Sequence, residues 1–139
     1  MNPRLPLNAF LYLAIALAAA LGGSLRYGIS LAWLQVAGVG FPWPTLIVNV
    51  LGSFLIALYW RLAGPGGRYP AGLERRTAVM TGFCGGLTTF SLFGVETMLL
   101  LENGRVLSAA GYVAATTLGG PGAAWLGLQD FRHGTARPE

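Results

Sequence analysis

Four apolar runs of membrane-spanning length, parted only by short loops, constrain this chain more than any other feature of it. They extend from about Leu5 to Tyr27, Phe41 to Trp60, Arg76 to Leu101 and Val106 to Leu128. A helix needs about 20 apolar residues to cross a bilayer. Four such spans fill nearly all of the 139 residues and leave no length for a soluble catalytic domain. Only 10% of residues are charged, against about a quarter in soluble domains, and the mean hydropathy is +0.58. The expected fold is an all-α integral membrane protein with four transmembrane helices. Residues 1–128 form the helical unit and 129–139 a polar tail.

The connections are turn-rich: Gly38 to Pro44, then Gly64-Pro65-Gly66-Gly67-Arg68-Tyr69-Pro70, then the tight Glu102-Asn103-Gly104-Arg105. The last of these makes the third and fourth spans an antiparallel hairpin. Trp33 and Trp43 suit the interfacial belt. Arg4 followed by an apolar stretch and Ala18-Ala19-Ala20 has something of a signal peptide. The run is too long for one, however, and continues into small residues suited to close helix contact.

Net charge is +4, and every basic residue is an arginine. Between apolar spans such charges set topology and meet lipid head groups. Arg4, Arg61, Arg68, Arg75, Arg76, Arg132 and Arg137 fall on the side of the termini, and only Arg26 and Arg105 on the other. The positive-inside rule then puts the termini in the cytoplasm. Arg26 would cost about 2.5–3.5 kcal/mol at mid-span, so it is expected near the span boundary. The single cysteine, Cys84, excludes an internal disulfide and reads as a small packing residue.

The third span carries Thr81-Gly82-Phe83-Cys84-Gly85-Gly86-Leu87-Thr88-Thr89-Phe90-Ser91-Leu92-Phe93. Paired glycines and free hydroxyls belong in a bilayer where backbone lines a cavity or binds an ion. Gly85-Gly86 before Thr88-Thr89 is expected to weaken or break the helix in mid-membrane, since glycine costs about 1 kcal/mol there; the alternative is a glycine pair that merely permits close crossing. The freed carbonyls suit a cation such as Na⁺. Phe90, Phe93 and Glu96 share a face if the helix is regular. Ring edges carry positive charge and can touch a small anion without holding it too tightly. Glu96 is the one acid well inside a span, and intramembrane acids are functional candidates.

In the second span Thr45, Asn49 and Ser53 recur every four residues and make one polar stripe. The Asn49 amide needs a partner: another helix, or a permeating ion. In the fourth span Tyr112 and Thr116 lie one turn apart, and Gly119-Gly120-Pro121-Gly122 is expected to disturb the helix. The lone His133 lies in the tail, no cluster of metal ligands is present, and no Ser/His/Asp set or Gly-rich loop after a strand appears. The chain does not read as an enzyme.

Gly22-Gly23-Ser24-Leu25-Arg26-Tyr27, Thr45-Leu46-Ile47-Val48-Asn49, Thr81 through Phe93 with Glu96, and Gly111-Tyr112 together resemble the CrcB/Fluc fluoride ion channel family. The resemblance implies an antiparallel, dual-topology dimer of four-helix subunits with two fluoride pores. It implies Asn49 as an amide donor to fluoride, Phe90 and Phe93 as aromatic lining, and Thr45, Tyr112 and Thr116 as hydroxyls along the pore. Carbonyls of Gly85 and Thr88 would hold a structural Na⁺ at the dimer interface. Arg26 and Glu96 match family positions without a firm role. Location in the plasma membrane of a prokaryote and resistance to fluoride follow. Leu92 stands where the family often has threonine, Pro44 where glycine is usual, and Gly120 where a hydroxyl is common.

The arginine bias favours one orientation, although an antiparallel homodimer needs both. A heterodimer with a homologous subunit of opposite bias is therefore an alternative to the homodimer. The rival class is a small multidrug transporter, which relies on an acid in its first helix; the first span here has none.

Overall fold

The computed structural model of the chain describes residues 5–38 and 40–129, with side chains from Ala9 onward. The expected tail beyond Gln129, with His133, Arg132 and Arg137, lies outside the described residues, as does Arg4. Five helical stretches follow one another: α1 (Leu5–Ala37), α2 (Trp43–Ala63), α3 (residues 73–87), α4 (Ser91–Glu102) and α5 (Val106–Leu128). No strand occurs among the described residues. Helix α3 changes pitch along its length, with α-helix at Leu73–Thr77, wide π turns at Ala78–Cys84 and α-helix again at Gly85–Leu87.

Ala9–Ala37, Trp43–Ala63 and the broken helix Leu73–Glu102 are each long and apolar enough to cross a membrane. Helix α5, with 23 residues, has the length, but Thr116, Thr117, Pro121 and its glycines dilute its apolar character. Within the apolar window of α1 only 6% of residues are buried inside the chain. A helix apolar all round and yet uncovered must face lipid or another chain.

Helix α1 is longer than its sequence suggested. The expected end at Tyr27 treated Arg26 as a boundary charge, but Ile29, Leu31, Ala32, Trp33 and Leu34 continue the apolar helix to Ala37. The stop is Gly38, whose φ of +68° only glycine adopts without strain and whose N–H bonds the Leu34 carbonyl at 3.1 Å. Arg26 therefore sits within the helix rather than at its edge. The turn from α4 to α5 is a Schellman cap: Arg105 N–H reaches Leu100 O at 2.8 Å and Gly104 N–H reaches Leu101 O at 2.9 Å. Gly104, at φ +70°, makes it possible.

Glycine sets two parallel helix pairs. Between α1 and α3, a Cβ on Gly22 would collide with the Phe83 carbonyl oxygen, and one on Gly86 with the Ala19 carbonyl oxygen. A Cβ on Gly82 would lie 2.9 Å from Ile15 O and 2.7 Å from Ala18 Cβ. The spacing Gly82-x-x-x-Gly86 is the small-residue pattern of close membrane helix crossings. Gly86 is thus helical and packs, as the close-crossing alternative has it, and the expected interruption falls just after the pair, at residues 88–90.

Between α2 and α5, Gly119 faces Val50, Gly120 faces Ser53 and Gly127 faces Phe54 and Leu58. The numbers rise in step, so the two helices run the same way. The expected disturbance around Pro121 is absent, since α5 runs unbroken through it. Close packing outweighs the poor helix propensity of glycine. The hairpin partner α4 touches α5 over a shorter stretch around Phe93, Glu96 and Tyr112.

Gly86→Ala is expected to lower stability by roughly 1–3 kcal/mol, the range for overpacking, read as a fall in thermal unfolding temperature in detergent. Gly94→Ala, whose added methyl would meet nothing within 4 Å, should not lower it and gains helix propensity. Equal effects would refute the crossing.

Candidate functional site

The interruption lies at Thr88-Thr89-Phe90, between α3 and α4. Thr88 is extended, with φ −83° and ψ 160°. Its methyl occupies the space that a side chain on Gly52 of α2 would need. One helical turn earlier on α2, the Asn49 side chain clamps the next residue. Thr89 N–H donates to Asn49 Oδ1 at 2.8 Å, and Asn49 Nδ2–H donates to Thr89 O at 2.9 Å. An amide side chain thereby takes the place of the missing helical partners of a backbone that has left its helix. One Nδ2–H of Asn49 remains uncommitted, because that nitrogen carries two. Ser53, the next member of the polar stripe, donates to the Asn49 carbonyl at 2.8 Å.

The clamp diverts helical hydrogen bonds. Thr89 N–H would otherwise bond Gly85 O, and Leu92 N–H would bond Thr88 O. Instead Leu92 N–H goes to Thr89 Oγ1 at 3.2 Å, which also caps α4. Cys84 O accepts from both the amide and the hydroxyl of Thr88, each at 3.0 Å. Gly86 O faces the Arg26 guanidinium, whose Nε–H lies 3.5 Å away. A cation there matches the negative end of α3. The carbonyls of Gly85 and Thr88 are left without these helical partners, and Gly85 is exposed.

A second cluster surrounds Glu96. Its Oε1 accepts from Thr45 Oγ1 at 2.8 Å and its Oε2 from the Tyr112 hydroxyl at 2.6 Å. Both donors are essentially inaccessible, Thr45 at 1% and Tyr112 at 0% exposure, so the carboxyl joins α2, α4 and α5. The hydrogens of Thr45 and Tyr112 therefore point at Glu96. Thr116, one turn beyond Tyr112, has a buried hydroxyl with no partner, whereas its neighbour Thr117 donates to Val113 O at 2.7 Å. A cavity of about 750 Å³ opens from Glu96 to one end of the bundle, lined in part by Trp33, Phe41, Pro44, Asn103 and Arg105. Arg105 braces that mouth by donating to Gly40 O at 2.7 Å.

Aromatic rings link the two clusters. Phe90 and Phe93 have centroids 5.6 Å apart, Phe93 and Tyr112 5.2 Å, and Tyr112 and Phe41 5.5 Å, the last edge to face. Phe93 is buried at 8% exposure, but Phe90 is 83% exposed. Phe90 precedes the first turn of α4, so Phe90 and Phe93 meet across the break rather than along one regular helix. Pro44 lies in the first turn of α2, where a missing N–H is tolerated. Gly52, the Gly82/Gly86 pair and the Arg26–Gly86 contact were not singled out from the sequence. Only the Gly82-x-x-x-Gly86 spacing offered a signal there.

Residues 13–128 match the family described as CrcB-like protein, Camphor Resistance (CrcB). A protein of Rhodopseudomonas palustris named fluoride-specific ion channel FluC 1 is 46% identical over 120 residues, covering 86% of this chain and 85% of that protein. Fluoride-specific ion channel FluC of Thermus thermophilus is 46% identical over 119 residues, 85% of this chain and 91% of that one. Fluoride-specific ion channel FluC of Methylocella silvestris is 40% identical over 116 residues, 84% of this chain and 88% of that protein.

Asn49→Leu strips Thr89 of both partners. It is expected to destabilise the chain by about 2–6 kcal/mol, from about 1–3 kcal/mol for each of the two groups left unpaired. Asn49→Asp keeps the acceptor for Thr89 N–H but sets a carboxylate against Thr89 O, so it should fall between Leu and the native residue. Thermal unfolding in detergent measures the order, and Asn49→Leu as stable as the native chain would refute the clamp.

Proposed function

The chain belongs to the CrcB-like family, and on that premise we propose that it is a fluoride-selective channel through which F⁻ leaves the cytoplasm passively. The observation that carries the reading is the Asn49–Thr89 clamp, which holds the Phe90–Phe93 pair at a break inside an apolar helix. The names of the relatives supply the ion. They also favour this reading over a small multidrug transporter, as does the absence of any acid from Leu5–Ala37.

Fluoride is small and strongly hydrated, so a pore must replace its water with donors that let go again. The free Nδ2–H of Asn49, the unpartnered Thr116 hydroxyl and the edges of Phe90 and Phe93 are donors of that kind. At Tyr112 and Thr45 an anion competes with Glu96 for the hydroxyl hydrogen, which weakens those contacts and favours exit. A negative-inside potential drives an anion outward by about 2.3 kcal/mol per charge per 100 mV, and no energy-coupling site is needed.

The reading extends to the assembly. Four helices cross the plasma membrane of a prokaryote, α5 as the fourth span, and two chains pair antiparallel. Phe90, Gly85 and the uncovered face of α1 are exposed in the single chain and suit burial against a second. The carbonyls of Gly85 and Thr88 would hold a structural Na⁺; their diverted helical donors and their hard oxygen atoms fit such a cation. When bound, it supplies a fixed positive charge beside the anion path. The homodimer is preferred, and the arginine bias keeps the heterodimer as its rival.

Purified protein in liposomes loaded with potassium fluoride should release fluoride within seconds of valinomycin addition, with no matching chloride release, followed by ion-selective electrode. Equal release of both ions would sink the selective channel, and no release would sink a channel made by this chain alone. Protein prepared with N-methylglucamine in place of all sodium should unfold at a lower temperature, and an unchanged temperature counts against the sodium site. Expressed alone with a terminal tag, the chain should expose the tag on both membrane faces. A tag confined to one face would favour the heterodimer.

A further inference from the structure

At the end of the bundle where α2 stops and α3 begins, two arginines hold more hydrogen-bond donors than the chain uses. The Arg76 guanidinium lies over the Trp60 ring, 5.5 Å from its centroid, which brings it against the turn of α2 that carries Arg61. The Nε atoms of Arg61 and Arg76 are both buried without a partner. A buried guanidinium N–H left unpaired is costly, and both arginines are only half-buried, so an acceptor from outside the described chain can offset that cost at the remaining N–H groups of each head.

The end of α2 draws little on these donors. Of the last carbonyls of α2, Trp60 O takes Gly64 N–H at 2.8 Å, Leu62 O takes Tyr69 N–H at 2.8 Å, and Ala63 O takes Ala71 N–H at 2.9 Å. Arg61 Nη1 donates to Gln129 O, which fixes the head and leaves the rest of its fork unassigned. Arg68 and Arg75 add positive charge nearby, and Glu74 is the only acid between Arg61 and Arg76. Trp60 is 47% exposed, as an aromatic residue is at the head-group level of a bilayer.

We propose that Arg61, Arg76 and Trp60 form a binding site for the phosphate group of an anionic phospholipid. The guanidinium fork matches the two free oxygens of a phosphodiester, and the half-exposed indole lies where glycerol and the upper acyl chain would pass. Net positive charge at this end selects an anionic lipid over a zwitterionic one. The site depends on the helices crossing a membrane and not on which ion the chain conducts.

The test is retention of dioleoylphosphatidylglycerol by the purified full chain, titrated in detergent and read by native mass spectrometry. Dioleoylphosphatidylcholine and inorganic phosphate are the comparison ligands. Phosphatidylglycerol should bind best, and Arg61→Gln and Arg76→Gln should each weaken it about tenfold, the effect of losing one charged hydrogen-bonding partner. Arg75→Gln, at an exposed position of the same end, should change it by about twofold or less. Arg76→Lys keeps the charge, loses the fork and should also weaken binding; it carries the test if Arg61→Gln does not fold. A loss in Arg75→Gln as large as in Arg76→Gln would mean diffuse attraction and overturn the site. So would equal retention of phosphatidylcholine, or inorganic phosphate binding as tightly as the lipid.

Discussion

A helix can break inside a membrane only if something other than water accepts its orphaned backbone groups. Here that partner is one amide side chain. The pairing of Asn49 with Thr89 satisfies an N–H and a C=O at once. Gly52, one turn along, gives the Thr88 methyl its space. The rest of the site depends on this arrangement. Phe90 meets Phe93 across the gap because the chain changes direction there. The Gly85 and Thr88 carbonyls lose their helical donors because Thr89 and Leu92 give theirs elsewhere.

Glu96 is the second fixed point, and it differs in kind. A carboxyl within an apolar bundle is tolerable when strong donors surround it, and Thr45 and Tyr112 reach it from two other helices. These hydroxyls therefore have a structural partner as well as a place beside the aromatic rings. The same short contacts fix α4 against α2 and α5. Thr116 has no such partner, so along α5 the donors change from committed to free within one turn.

Much of this could be read in the sequence. The apolar runs gave the helices, Gly104 the tight turn, and Thr88-Thr89 the place of the interruption. The polar stripe on the second span marked Thr45, Asn49 and Ser53 as neighbours. Hydrogen-bond partners were not legible, because a stripe shows which way side chains face and not what waits opposite. Asn49 was open to either a helix or an ion, and the structure gives it the backbone of the interrupted segment with one N–H to spare. Arg26 misled in the other direction: a charge looked like the end of a span, and α1 continued past it because Gly86 O offers the guanidinium a neighbour. Glycine was the hardest residue to interpret. Gly85-Gly86 and Gly119-Gly120 both read as helix breakers, yet each lies in a helix; at Gly86 and Gly119 a neighbouring helix uses the absent side chain as room. Local propensity gave way to packing.

The order of the clamp along the chain has a consequence for biosynthesis. Asn49 lies forty residues before Thr89, and both belong to one polypeptide. Chains emerge from the ribosome N-terminus first, so α2 is made before the interrupted segment. When residues 88–90 reach the membrane, the amide that receives them already exists. The break is thus satisfied within a single newborn chain, before any later step of folding or assembly.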